Sequence, residues 1–177
     1  FCLSRGLGDV YKRQLFDEFT RQGGQDVLQR DVLTVETPSP TGASLAEDLA
    51  PKVSGDVRVA LLGAGAVRAG KETALTFRLE DQRTGEGVSN LQPYLAAPAH
   101  VAIVGEDGRS FVHTHGEQVS VAATMGMDTQ NQASPGPYGP EIAFHYTFPA
   151  PGLYKVWGQF AAGDGRIITA DFVVRAR

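Results

Sequence analysis

The feature that most constrains this chain is an alternation. From Thr73 to Leu79, residues Leu75, Phe77 and Leu79 fall on one face, and Thr76 and Arg78 on the other. A period of two places apolar side chains on one side of a pleated strand, whereas a helix would need them every three or four residues. The same pattern recurs in Ile142, Phe144, Tyr146 and Phe148, and again in Ile168, Ala170, Phe172 and Val174. Turn residues separate the runs. Pro149-Ala150-Pro151-Gly152 must interrupt pairing, because proline has no amide hydrogen to give to a ladder. Short antiparallel strands, half-buried, are therefore predicted from Asp56 onward, and helix has little support there.

Tyr154 follows the proline turn at the start of a strand, where sandwiches place a tyrosine whose hydroxyl bonds back to the corner. Residues 56–177 are thus expected to form one immunoglobulin-like antiparallel β-sandwich, an all-β fold. Trp157 fits either its core or a half-exposed place beside a site. Hydrophobic residues at 42% and charged residues at 20% can supply a real core. The net charge of -4, without a basic stripe, argues against a nucleic-acid or anionic-membrane partner recruited by charge. No apolar run approaches the roughly 18 residues that a membrane helix requires. Ser110 and Ser120 lack a nucleophile-elbow context, and Gly63-Ala64-Gly65 opens no helix that could cradle phosphate. With no carrier for catalysis, the chain reads as non-enzymatic.

The opening, Phe1 to Gln14, has neither the apolar core of a signal peptide nor the caps of a helix. Its segment Asp9 to Gln14 resembles the translation of a transposon adapter, so residues 1–14 are expected to be foreign to the fold. Cys2, the single cysteine, lies there and can form no internal disulfide. Leu15-Phe16-Asp17-Glu18-Phe19 matches Val156-Trp157-Gly158-Gln159-Phe160, and Arg30-Asp31-Val32-Leu33 matches Ala170-Asp171-Phe172-Val173. Residues 15–35 are on this reading the terminal hairpin of a truncated related domain, the rest of which, with any export signal, lies upstream. Residues 36–55, rich in Pro, Ser, Thr and Ala, read as a linker in which Leu45 to Leu49 can form one helical turn.

Chemistry concentrates in His100 to His115, where two apolar runs flank Glu106-Asp107-Gly108-Arg109. Asp-Gly favours a type I′ hairpin turn, which needs positive φ at both central residues. If Asp107 and Gly108 are those residues, Glu106 faces Arg109, Ala102 faces His113 and His100 faces His115. Opposed residues lie about 5 Å apart and alternate residues share a face, so three imidazoles converge. A one-residue slip would send His100 to the other face. Clustered neutral imidazoles ligate copper, zinc or nickel. Met125 and Met127, in a Met-Gly-Met run opening the loop 126–140, tilt the choice to copper, since thioethers favour Cu(I). Asp128 and His145 are further candidate ligands. Against this stand blander readings, in which His-X-His is a solvated strand face and the methionines fill gaps.

Three blocks resemble the YtkA-like family of exported immunoglobulin-like domains associated with heavy-metal handling. They are Leu91-Gln92-Pro93-Tyr94-Leu95 leading to His100, Phe111-Val112-His113-Thr114-His115, and Gly139 through Phe160. The resemblance implies a periplasmic or cell-surface location and puts His100, His113 and His115 at the family's recurrent histidine positions. It departs at Ala96 to Ala99, where a glycine-rich approach is usual, and at Gly116, where a proline is usual. A looser loop after His115 is expected from the latter. The leading expectation is a metal-binding envelope domain, with copper the favoured metal, serving as chaperone or resistance accessory, with an envelope protein as exchange partner. The alternative is a structural or protein-interaction module in a tandem array with no metal site.

Overall fold

The computed structural model describes residues 2–7, 10–21, 24, 26–35, 45–119 and 136–177, which divide into two compact units, Phe1–Leu45 and Ala46–Arg177. The first unit is a three-stranded antiparallel sheet, β1 (Cys2–Leu7), β2 (Val10–Thr20) and β3 (Asp26–Val35), in that order. Strand β2 runs unbroken through Gln14 and Leu15, so both sides of the boundary expected there share one strand. Leu15 lies opposite Asp31, whereas Val156 lies opposite Phe172 and not Asp171. The windows that match in sequence therefore differ in register by one residue, which exchanges the faces of the second strand.

The second unit holds β4 (Lys52–Ser54), β5 (Val57–Leu62), β6 (Glu72–Asp81), β7 (Ala99–Gly105), β8 (Phe111–Gln118), β9 (Glu141–Thr147), β10 (Gly152–Ala161) and β11 (Ile167–Ala176). All pairs are antiparallel, in the order β11-β10-β7-β8-β9-β6-β5-β4. One short 3-10 turn, Ala64–Ala66, is the only helical element among the described residues. The all-β expectation holds. The sheet folds over itself so that β11-β10-β7-β8 covers β9-β6-β5-β4, because each half has an apolar face that only the other can bury. Phe77 of β6 marks the contact, with Phe160 of β10 edge-on at 5.2 Å and Phe172 of β11 at 6.2 Å. The alternating residues Leu75, Phe77, Leu79, Ile142, Phe144, Phe148, Ile168, Ala170, Phe172 and Val174 are all buried.

Three local features set the frame. The Tyr154 hydroxyl donates to the Ala150 carbonyl at 2.9 Å, so the corner tyrosine does what its place after the proline turn predicts. The chain enters the second unit at Ala46, ahead of Asp56, and without a helical turn: Asp48 pairs with Val173, and β4 lies against β5. Three-residue pairing of this kind carries no periodic signal, which is why the segment reads as linker. Finally, β4 and β11, the two ends of the sheet order, meet across a seam. Ser54 Oγ accepts from the Thr169 amide at 3.4 Å, and Arg166 joins Asp56 (3.0 Å) to Asp164 (2.6 Å) at one end. Hydrogen bonds to those carboxylates hold the Arg166 guanidinium well above its ordinary range, and the same bonds lower both of theirs.

Candidate metal centre

The histidine hairpin forms in the expected register through a different turn. His100 lies opposite His115 and Ala102 opposite His113. The loop, however, spans four residues, Glu106 to Arg109, closed by the Gly105 amide donating to the Ser110 carbonyl at 3.0 Å. Of Asp107 and Gly108 only Gly108 has positive φ, at 66°, so the type I′ expectation is corrected. The cause is the Asp107 carboxylate, which accepts from the Arg109 amide at 2.9 Å and from the Ser110 amide at 3.5 Å, forming an Asx turn. Glu106 does not face Arg109: its amide donates to the Leu153 carbonyl at 2.8 Å and its carboxylate accepts from the Leu153 amide at 3.3 Å. A four-residue loop and a two-residue loop centred on the same point give the same pairing, so the histidines still meet.

One ring nitrogen from each of His100, His113 and His115 lies within 4.8 Å of the others. Ring centroids are 5.0 Å apart for His100 and His113, 4.7 Å for His100 and His115, and 5.2 Å for His113 and His115. His113 and His115 share a face because they are two apart on β8, and β7 brings His100 alongside. Burial grades across the cluster. His100 is buried at 7% exposure, the one buried polar residue among those described, His113 is intermediate and His115 exposed. His100 Nδ1 lies 2.8 Å from His113 Nε2, and His100 Nε2 lies 2.9 Å from the Tyr94 carbonyl oxygen. Burial, and next the charge of His115, lower the His100 pKa below its ordinary 6.5.

That shift has a definite sign. A histidine depressed on folding takes up its proton more readily in the unfolded chain, so stability rises with pH across the interval between the two values. In the metal-free protein the contribution of His100 is fully present above its ordinary value of 6.5 and is lost as pH falls through the lower folded value. Urea midpoints measured from pH 7.5 downward should therefore fall in the wild type, and fall less in a His100→Gln variant.

The sequence did not disclose the turn that covers His100. Tyr94 and Ala97 exchange backbone hydrogen bonds of 2.8 and 3.1 Å, with Leu95 (φ 47°) and Ala96 (φ 69°) between them in the left-handed region. Each such residue costs about 1–2 kcal/mol, and turns of this type prefer Asn-Gly. Leu-Ala carries no turn signal, so nothing in the residue types could have pointed to it. The Tyr94 ring stands edge-on to His100 at 5.4 Å. On the other flank, Gln159 and Trp157 of β10 lie opposite His100 and Ala102. Trp157 is half-buried, with the Lys155 ammonium 5.1 Å from its ring.

The expected loop after His115 is not there. Strand β8 continues through Gly116 to Gln118, and at Gly116 it leaves Ala99 of β7 and takes up Ala143 and Ile142 of β9. A side chain at 116 would run into Ile142 Cγ2 and come 3.0 Å from Ala99 Cβ, so the sheet can fold there only around a glycine. His145 stands apart from the cluster on β9, its Nδ1 3.2 Å from Glu72 Oε1. Met125, Met127 and Asp128 lie outside the described residues.

The donor set suits a transition metal. An ion about 2.0–2.1 Å from each of three nitrogens draws them to within roughly 3–4 Å of one another, a small swing from the present spacing. Imidazoles without a carboxylate favour copper, zinc or nickel over calcium or magnesium. Protection of neutral His100 by burial keeps a lone pair available at neutral pH.

The family model described as "Domain of unknown function (DUF8832)" matches residues 52–177. No curated protein matches the chain. Among solved structures, FetP of uropathogenic E. coli strain F11 is similar at 10% identity, over 73% of this chain and 94% of that one, with a TM-score of 0.48. No helix among the described residues is long and apolar enough to cross a membrane.

Proposed function

The chain belongs to the DUF8832 family, and for this member we propose a non-enzymatic envelope domain, periplasmic or at the cell surface, that binds a transition metal through His100, His113 and His115. The observation that carries the reading is the convergence of three imidazole nitrogens within 4.8 Å on one sheet face. Copper is the metal we favour, on the thioethers of Met125 and Met127. The envelope location and kinship with YtkA-like domains come from the resemblance of the sequence blocks, and a role as metal chaperone or resistance accessory follows from both. Bound there, the metal would contribute its own charge and Lewis acidity, while the hairpin supplies neutral nitrogen ligands and excludes water from the His100 side.

One observation favours the alternative, a structural or interaction module without metal. Both ring nitrogens of His100 have partners within 2.9 Å, as a purely structural histidine would. Titration of the chain with Cu(I), Cu(II) and Zn(II) separates the readings. The wild type is expected to bind copper at least about 100-fold tighter than a His113→Ala, His115→Ala double variant, since changes to outer-shell groups alone cost 10–100-fold. Equal and weak binding by both proteins would leave the interaction module standing.

A further inference from the structure

We propose that the Tyr94–Ala97 turn is the positioning element of the histidine cluster, holding His100 in the one tautomer that offers Nδ1 to a metal. The proposal rests on the metal-binding reading and goes beyond it in saying which atom binds and what aims it. A carbonyl oxygen can only accept, so the 2.9 Å contact with Tyr94 requires the proton on His100 Nε2. A neutral imidazole carries one N–H, so His100 Nδ1 is bare. It follows that across the 2.8 Å contact His113 Nε2 donates and His100 Nδ1 accepts. The lone pair of the most buried ligand therefore points into the cluster before any metal arrives. His113, in contrast, must move its proton to its other nitrogen before Nε2 can bind.

Leu95 is 73% exposed, so no packing of its side chain compensates the two left-handed residues. What the conformation does achieve is to return the chain within two residues, with Gln92 paired to Ala161 on one side and Ala97 and Ala99 buried on the other. Between these anchors the Tyr94 carbonyl takes two donors, the Ala97 amide and His100 Nε2. Hydrogen bonding of a ligand histidine through its second nitrogen is the usual way that proteins fix ring orientation and raise ligand basicity. Strain at such a place is the expected companion of a fixed geometry.

The test reads the tautomer directly, without metal, from long-range proton–nitrogen spectra of the imidazoles in the full chain at neutral pH. His100 is expected to show a protonated Nε2 and a bare Nδ1. Substituting Leu95→Asn and Ala96→Gly together keeps the same turn with residues that accept positive φ, so the spectrum and copper affinity should match the wild type. Inserting one glycine between Leu95 and Ala96 displaces the carbonyl, so His100 should become a mixture of tautomers and copper affinity should fall about 10–100-fold. A protonated Nδ1 on His100 in the wild type overturns the proposal. So does an insertion variant whose spectrum and affinity are both unchanged. If the wild type shows the expected tautomer yet takes up no copper, the metal reading fails while the hold of the turn on His100 stands.

Discussion

Phe77→Ala is expected to lower the unfolding free energy by about 3–5 kcal/mol, the cost of emptying a large aromatic site that cannot collapse. Phe77 is fully buried and touches both layers: it stacks on Phe144 at 5.3 Å within its own layer and meets Phe160 and Phe172 in the other. Its loss leaves a cavity lined by three rings, none of which can move without losing its own contacts. Gly158 adjoins the same space, since a Cβ there would come within 2.8 Å of Phe77 Cζ. Urea denaturation checks the figure. A drop below about 1 kcal/mol would mean that the layers close over the gap, and that the core is less rigid than its packing indicates.

Gly116→Val should do two things at once. Overpacking costs about 1–3 kcal/mol where a side chain is forced into filled space, and here the obstacles are Ile142 Cγ2 and the Ala99 Cβ on adjacent strands. The strand would be pushed outward at the point where it passes between layers, carrying His115 with it. Copper affinity should fall in this variant, while a Phe77→Leu variant, destabilised by a comparable amount in the core, should keep it. Paired urea and copper titrations on the two proteins make the comparison. Equal affinities would show that the fold at Gly116 does not govern the histidine spacing.

Legibility in the sequence tracked periodicity. Leu75, Phe77 and Leu79 announced their strand because a half-buried face forces apolar residues to every second place. Strand β7 hid its two sides, since all seven of its residues are buried. There the outward positions His100, Ala102 and Val104 are covered by other parts of the chain, which no local pattern records. The histidine pairing was readable because the centre of the hairpin, and not its turn type, sets the register. The Tyr94 carbonyl was not readable at all: it is a backbone atom, aimed by two residues whose side chains do not prefer that conformation. Gly116 was misread as loosening a loop because a glycine that permits close approach and a glycine that permits flexibility look alike in sequence.

The seam between β4 and β11 bears on how this domain can meet another protein. A sheet with open margins can recruit a foreign strand through unsatisfied amides and carbonyls, the commonest route by which β-proteins polymerise. Here one margin is a three-residue strand, and the other is engaged by Asp48 through Val173 and by Ser54 through Thr169. Recruitment by strand addition is closed to the second unit along that line. What the second unit offers a partner beside that seam is side chains on a sheet face, and the face with distinctive ones is that of His113, His115 and Trp157.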